Sequence, residues 1–218
     1  APWQKVAKNG DDIPAIAEVQ LLDGAEAKYI SRGGLKLEGA LDALGLKVEG
    51  LRCLDVGQST GGFTDCLLQR GAAQVTGIDV GAGQLHPRLR DDPRVVCIEH
   101  LNARDLTPAA VQAPPLFDLV VGDLSFISQT LVWPALLPLM APGAHALVLV
   151  KPQFELQPQQ IGKGGLVKDP ASHALVRTRI TDTLQALGLP VLAWFDSPIT
   201  GGDGNREFFV FARRGEPV

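Results

Sequence analysis

The chain has 218 residues, 45% of them hydrophobic, which is enough for one α/β domain with a buried core. A net charge of −4 excludes a polyanion binder that works by bulk charge, although cations can still cluster locally. No stretch approaches the roughly 18–20 apolar residues of a membrane span and no secretory signal opens the chain, so the composition predicts a soluble, cytoplasmic protein.

Residues 1–29 alternate weakly and turn at Asn9–Gly10–Asp11. They predict the last strands of a small β-rich module whose front half lies outside this chain, with a loose extension of the main domain as the alternative. A helix follows over 31–46, with Ser31 as its cap and Leu37, Leu41 and Leu44 on one inward stripe. Lys36 lies off that stripe, where a lysine is by default a solvated surface charge.

Residues 51–65, LRCLDVGQSTGGFTD, are the stretch around which the rest is organised. An apolar run ends in Asp55 and Gly57, a small-residue turn follows (Ser59, Thr60, Gly61, Gly62), and an amphipathic helix over 62–69 opens at Phe63. This is the strand–loop–helix start of a nucleotide-binding unit, in which glycines admit a ligand to the backbone and the helix points free N–H groups at it. A GxGxxG dinucleotide fingerprint would need glycine at 59. A phosphate-binding P-loop fits 57–64 except that Phe63 replaces its lysine, so a triphosphate loses its main countercharge. A tight structural turn is the bland alternative. Asp79 ends the next apolar run, followed by Val80, and its carboxylate is placed to accept the hydroxyls of a ribose. A ligand with a ribose and no phosphates fits best, and S-adenosylmethionine (SAM) is the common one.

A turn at 81–83, a short helix at 85–90 and a strand at 94–98 come next. Polar residues 100–106, with Asn102 and Ala103, follow a strand end and so lie on the ligand-binding rim, where an adenine is expected. A strand at 117–121 runs into Gly122–Asp123–Leu124–Ser125–Phe126, a helix covers 127–140, and strand 146–150 leads into KPQFE (151–155). Residues 156–169 predict a mobile loop over the site. Helix 171–187, strand 191–195, a glycine-rich turn at 197–205 and strand 206–212 complete a seven-stranded, Rossmann-like α/β sheet with one antiparallel strand near the C-terminus. Cys53, Cys66 and Cys97 form no CxxC pair and read as buried free thiols. The four histidines are scattered, so no metal is expected.

Lys36, Asp123, Lys151 and Glu207 all fall at element ends on the presumed rim. Each alone reads as an ordinary surface or strand-end charge; together they suggest a common cleft. At this point SRGGLKLE (31–38), DVGQSTGGFTD (55–65), DVGAGQL (79–85), NAR (102–104), DLSFIS (123–128), KPQFE (151–155) and SPITGGDGNREF (197–208) resemble the hemolysin A/TlyA family of the FtsJ-like RNA ribose methyltransferase type. Gln58 departs from the family pattern, which usually has alanine there. The resemblance covers about residues 28–213. It implies a SAM-dependent fold over 30–218 and an amino-terminal S4-like RNA-binding module of which 1–29 is the remnant. It also implies ribosomal RNA or ribosomal subunits as partner, and 2′-O-methylation by a Lys-Asp-Lys-Glu set: Lys36, Asp123, Lys151 and Glu207, with Asp123 also beside the cofactor.

In that scheme Lys151 contacts the ribose hydroxyl while Asp123 and Glu207 hold its ammonium. Arg32, Lys163, Lys168 and Arg206 are the candidate cations for RNA, with Phe154 a candidate stacking residue. Two other classes remain open from sequence alone: a membrane-active hemolysin, which would need an apolar span or a basic amphipathic helix, and a SAM- or RNA-binding scaffold without turnover.

Overall fold

In the computed structural model, which describes residues 28–113 and 115–215, the apolar runs become strands β1 (Arg52–Val56), β2 (Gln74–Ile78), β3 (Val95–Ile98), β4 (Phe117–Asp123), β5 (Met140–Val150), β6 (Val191–Asp196) and β7 (Phe208–Arg213). They form one sheet in the order β3-β2-β1-β4-β5-β7-β6. The first five pair in parallel, and β7 runs antiparallel between β5 and β6. The expected seven-stranded sheet with a late antiparallel strand is therefore present. Strand order reverses between β1 and β4, and a ligand crevice forms outside the carboxyl ends of strands at such a switch point.

Side-chain alternation splits the core into two layers. Leu54, Val120, Val148 and Val210 face Val176, Ile180 and Leu184 of α5 (Pro170–Ala186). Cys53, Leu119, Leu147 and Phe209 face Leu37 and Leu41 of α1 (Gly33–Leu44) and Phe63 and Leu67 of α2 (Gly62–Gln69). Covering both faces of a mostly parallel sheet in this way is what its near-continuous apolar strands require. Among the described residues no helix is long and apolar enough to cross a membrane.

Three local expectations change. Ser31 does not cap α1; Arg32 holds the N-cap position without a side-chain bond, and backbone carbonyls of Ser31 and Arg32 accept from Gly34 and Leu35. The start is nevertheless tight, because a Cβ at Gly34 would come 2.3 Å from the Tyr29 ring. The expected helix over 127–140 breaks into a 3-10 turn (Gln129–Leu131), a short α4 (Trp133–Leu136) and a second 3-10 turn (Leu137–Leu139), since Pro134 and Pro138 interrupt the hydrogen-bond ladder. β5 then begins at Met140, six residues before the expected strand, with Pro142 and Gly143 accommodated where its register to β4 shifts.

Residues 156–169, expected as a mobile loop over the site, carry two 3-10 turns and line neither cleft described below. Their far end is tied down: Val167 N–H donates to Asn205 Oδ1 (2.9 Å), and Asn205 Nδ2 donates to Gly165 O (3.0 Å). The β-rich module expected over 1–29 lies, up to residue 27, outside the described residues. Tyr29 itself is buried and donates to Glu38, and Ile30 N–H donates to Asp65 Oδ2 (2.9 Å), fixing the chain to α1 and α2.

Candidate active site

The loop between β1 and α2 packs against the end of β4 at the switch point. Gly57 takes a left-handed φ of 81°, and a Cβ there would lie 2.6 Å from Asp123 O, so only glycine permits this approach. Ser59, where a dinucleotide loop would carry glycine, adopts a left-handed φ of 51°. Its N–H donates to Asp79 Oδ2 (2.8 Å), which steadies a conformation that a serine rarely takes. Asp79 Oδ1 accepts from Gly81 N–H (2.8 Å), so this carboxylate ties the two loops together before any ligand arrives. Lone pairs remain on both oxygens for ribose hydroxyls.

Beneath the loop runs a buried polar chain that the sequence did not reveal. Gln58 Nε2 donates to Thr64 Oγ1 (2.9 Å), and Thr64 Oγ1 donates to Asp55 Oδ2 (2.7 Å). The Gln58 carboxamide sits over Gly77 of β2, where a Cβ would come within 2.0 Å of it. The bulkier residue at 58 is thus accommodated by a glycine on the neighbouring strand. Asp55 is fully buried, and burial pushes its carboxyl up to about 7 against the Thr64 hydrogen bond; nearby Asp123 and Asp79 add to the rise. Asp55 and Gly61 line neither cleft and act as supports of the loop.

Two adjoining clefts share Gly57, Ser59, Asp123 and Ser125. The larger, about 690 Å³, is walled by Asp79 and Val80, by Asn102 and Ala103, and by 123–128 together with Leu131. Its size and half-apolar lining suit a nucleoside-sized ligand. The smaller, about 160 Å³, is walled by Ser31, Gly33, Thr60, Gly62, Phe63 and Lys151. Of the expected cofactor residues, Gly57, Ser59, Asp79, Val80, Asn102, Ala103 and Asp123 line the larger cleft, whereas Thr60, Gly62 and Phe63 line only the smaller.

The four charged residues arrange as two ion pairs. Lys151 Nζ lies 2.5 Å from Asp123 Oδ1, off the direction of a hydrogen bond, and donates to Ser125 Oγ (3.1 Å). Lys36, expected by default as a surface charge, is buried and donates to Glu207 Oε1 (2.5 Å). Glu207 therefore clamps Lys36 and does not hold the Lys151 ammonium directly. Burial raises the Glu207 carboxyl against its bond to Lys36; Lys151 lowers it and Asp123 raises it through space, which places all four charges in one electrostatic neighbourhood. Gly201 leaves room for the carboxylate, since a Cβ there would lie 2.7 Å from Glu207 Oε2.

The candidate RNA residues are less unified. Arg32, Lys163, Lys168 and Arg206 are exposed. Arg206 is spent on Asp196, with Nε and Nη2 donating to Oδ1 and Oδ2 at 2.6 and 2.9 Å. Phe154 is half-buried against Phe126 (ring centroids 4.9 Å), and Phe126 is the more exposed of the two at 90%. Ser31 and Ser125 line the smaller cleft although they are not among the expected site residues; both stand inside the motifs quoted above, but nothing in the local sequence shows that they face a cleft. Among the described residues no cluster of three or more His, Cys, Asp and Glu side chains is placed to hold a metal. Cys53 and Cys66 are buried and free, and Cys97 is half-buried and free.

The 16S/23S rRNA (cytidine-2′-O)-methyltransferase TlyA of Mycobacterium tuberculosis is 49% identical over 212 residues, covering 97% of this chain and 77% of that protein. Hemolysin A of Brachyspira hyodysenteriae is 39% identical, covering 93% and 81%. A solved structure from Streptococcus thermophilus, described as a candidate hemolysin, superimposes with a TM-score of 0.84 at 41% identity, covering 89% of this chain and 70% of that one. The family model for FtsJ-like methyltransferases matches residues 29–214. The chain belongs to the FtsJ-like methyltransferase family.

Proposed function

We propose that this protein transfers a methyl group from SAM to a ribose 2′-hydroxyl of ribosomal RNA. The observation that carries the proposal is the position of Lys151: it lines the smaller cleft, which shares a wall with the nucleoside-sized one, and it is held there by Asp123 and Ser125.

SAM fits the larger cleft by the chemistry of its walls. Asp79 offers acceptors for ribose hydroxyls, the Asn102–Ala103 turn offers polar backbone beside exposed Val80, and the loop lacks the lysine that a phosphate ligand would need. When bound, SAM supplies a methyl group on a sulfonium that is already a good leaving group.

The protein's own task is the nucleophile. A ribose hydroxyl is weakly nucleophilic at neutral pH, so it must be oriented and relieved of its proton as the bond to carbon forms. Lys151 Nζ is the group in position to hold that hydroxyl and, once its own ammonium proton has passed to solvent, to take the hydroxyl proton as the neutral amine. Asp123 and Ser125 fix the direction of Nζ, while the buried Lys36–Glu207 pair sets the charge around it. Arg32 beside the smaller cleft, Lys163 and Lys168 are candidate phosphate contacts. The resemblance of residues 1–29 to the end of an S4-like module supports the view that this module supplies much of the RNA affinity, and a ribosomal substrate implies action in the cytoplasm.

The test is labelled methyl transfer from SAM to ribosomal RNA and to intact subunits by wild type and Lys151→Ala, with nucleoside mass spectrometry of the product. A 2′-O-methyl nucleoside formed by the wild type and lost in the variant is the expected result. A base-methylated product would overturn the assignment of the four charged residues, and red-cell lysis by detergent-free protein without methyl transfer would overturn the proposal itself.

A further inference from the structure

The wall of the larger cleft formed by 124–128 is a poor candidate for a self-supporting loop. It includes Phe126, 90% exposed and in a left-handed conformation (φ 63°) that a phenylalanine adopts only when its surroundings impose it. Leu124 and Ile127 pack only partly against the core and Phe126 rests on Phe154, yet Leu124, Ser125, Phe126, Ile127 and Ser128 all line the cleft. At its far end the segment is tied by a buried polar arrangement involving two residues outside the catalytic set.

We infer that Glu155 and Gln129 form a brace that sets the shape of this wall, and so act as positioning residues for SAM binding. Glu155, 4% exposed, accepts from Ser128 Oγ through Oε2 (2.6 Å) and from Gln129 N–H through Oε1 (2.8 Å). Gln129, 3% exposed, donates from Nε2 to Leu149 O on β5 (2.6 Å), and its Oε1 accepts from Trp133 Nε1 (3.3 Å). Arg179 on α5 donates to the Glu155 carbonyl and places its positive charge beside the carboxylate.

The brace thus connects the loop after β4, the turn after β5 and the outer helix. Asp123 and Lys151 stand at the two strand ends it joins. A carboxylate is suited to the task because both of its oxygens accept and one side chain can hold two points of the same loop. Every polar group of the brace is paired, and a fully satisfied buried network rigidifies what it touches.

The inference rests on SAM occupying the larger cleft, and one experiment separates the two claims. SAM affinity is measured by calorimetry for wild type, Glu155→Gln, Gln129→Met and the double variant, alongside unfolding midpoints and amide exchange over 124–128. Gln129→Met is close in volume and keeps the core filled. Glu155→Gln keeps one acceptor for the Gln129 N–H and loses the other. We expect the SAM dissociation constant to rise about three-fold for Glu155→Gln and about ten-fold for Gln129→Met. The double variant should fall short of the product because both act on one element, and amides 124–128 should exchange faster. Lowered unfolding midpoints with SAM affinity within two-fold of wild type would reduce the brace to a structural role and overturn the inference. Wild type failing to bind SAM would overturn the reading of the cleft, and the inference with it.

Discussion

Lys36 Nζ lies 2.5 Å from Glu207 Oε1, joining the first helix to the approach of the last strand across 171 positions of chain. Both side chains are nearly inaccessible, at 10% and 2% exposed. A buried pair of this kind is costly to break from one side because the remaining charge has no solvent to turn to. Lys36→Met should lower unfolding stability by about 3–5 kcal/mol in urea titrations. Adding Glu207→Gln should return much of it. The single variant should be least stable at alkaline pH, since an unpaired buried Glu207 relieves its cost by taking a proton as pH falls. Losses for Lys36→Met and Glu207→Gln that simply add in the double variant would mean that the pair is not coupled.

Methyl transfer should depend on the proton of Lys151 and not on its charge alone. Arginine keeps the charge but does not release a proton at this pH. Lys151→Arg and Lys151→Ala should both lose on the order of 10²–10⁴ in rate, the range for a positioned acid–base group. Ser125→Ala removes only the 3.1 Å contact that aims Nζ and should cost less. Wild-type turnover by Lys151→Arg would remove proton transfer from the scheme.

The Gln58–Gly77 contact predicts a compensating pair. Gly77→Ala drives a Cβ into the Gln58 carboxamide and should destabilise by about 1–3 kcal/mol, the usual range for overpacking. Gln58→Ala in the same chain should recover most of the loss. Thermal unfolding of the two single variants and the double variant completes the cycle, and additive losses would show that the carboxamide relaxes elsewhere.

Asp55 ties the cofactor loop to the pH dependence of stability. Burial raises its carboxyl from 3.8 to about 7, so the native state holds the proton over a range where the unfolded chain has released it. The sign follows: its contribution is fully present below about pH 4 and is lost as pH rises through about 7. Asp55→Asn keeps an acceptor for Thr64 and should flatten this slope, worth on the order of 4 kcal/mol over about three units. Denaturant titrations from pH 4 to 8 measure it.

Arg206 predicts an asymmetry in RNA binding. Its guanidinium already holds Asp196 through two bonds and lies over Phe208, so it is committed within the protein. Arg206→Ala should change RNA affinity little, whereas Asp196→Asn should release the cation, raise affinity and steepen its salt dependence. Filter binding at several salt concentrations distinguishes this from a guanidinium that contacts phosphate directly.

By itself the sequence determined the α/β alternation, all seven strands to within a few residues apart from the early start of β5, helix α2 at its observed limits and the place of the ligand loop. These depend on local quantities: apolar runs, glycine at turns and acids at strand ends act within a few residues of themselves. The motif string likewise brought Lys36, Asp123, Lys151 and Glu207 together as a set.

Tertiary structure alone decided how that set pairs. Lys36 lies off the leucine stripe of its helix, and Glu207, 171 positions further along the chain, gives its buried ammonium a partner. The same holds for Ser59 in a glycine's conformation, fixed by Asp79 just past the end of β2, and for Arg206, exposed but neutralised by Asp196. The broken segment over 127–140 was half legible: Pro134 and Pro138 announce the interruption, but register with β4 determines where β5 begins. Local propensity determines which elements form, whereas the burial and partner of a charge depend on residues that only the folded chain brings near.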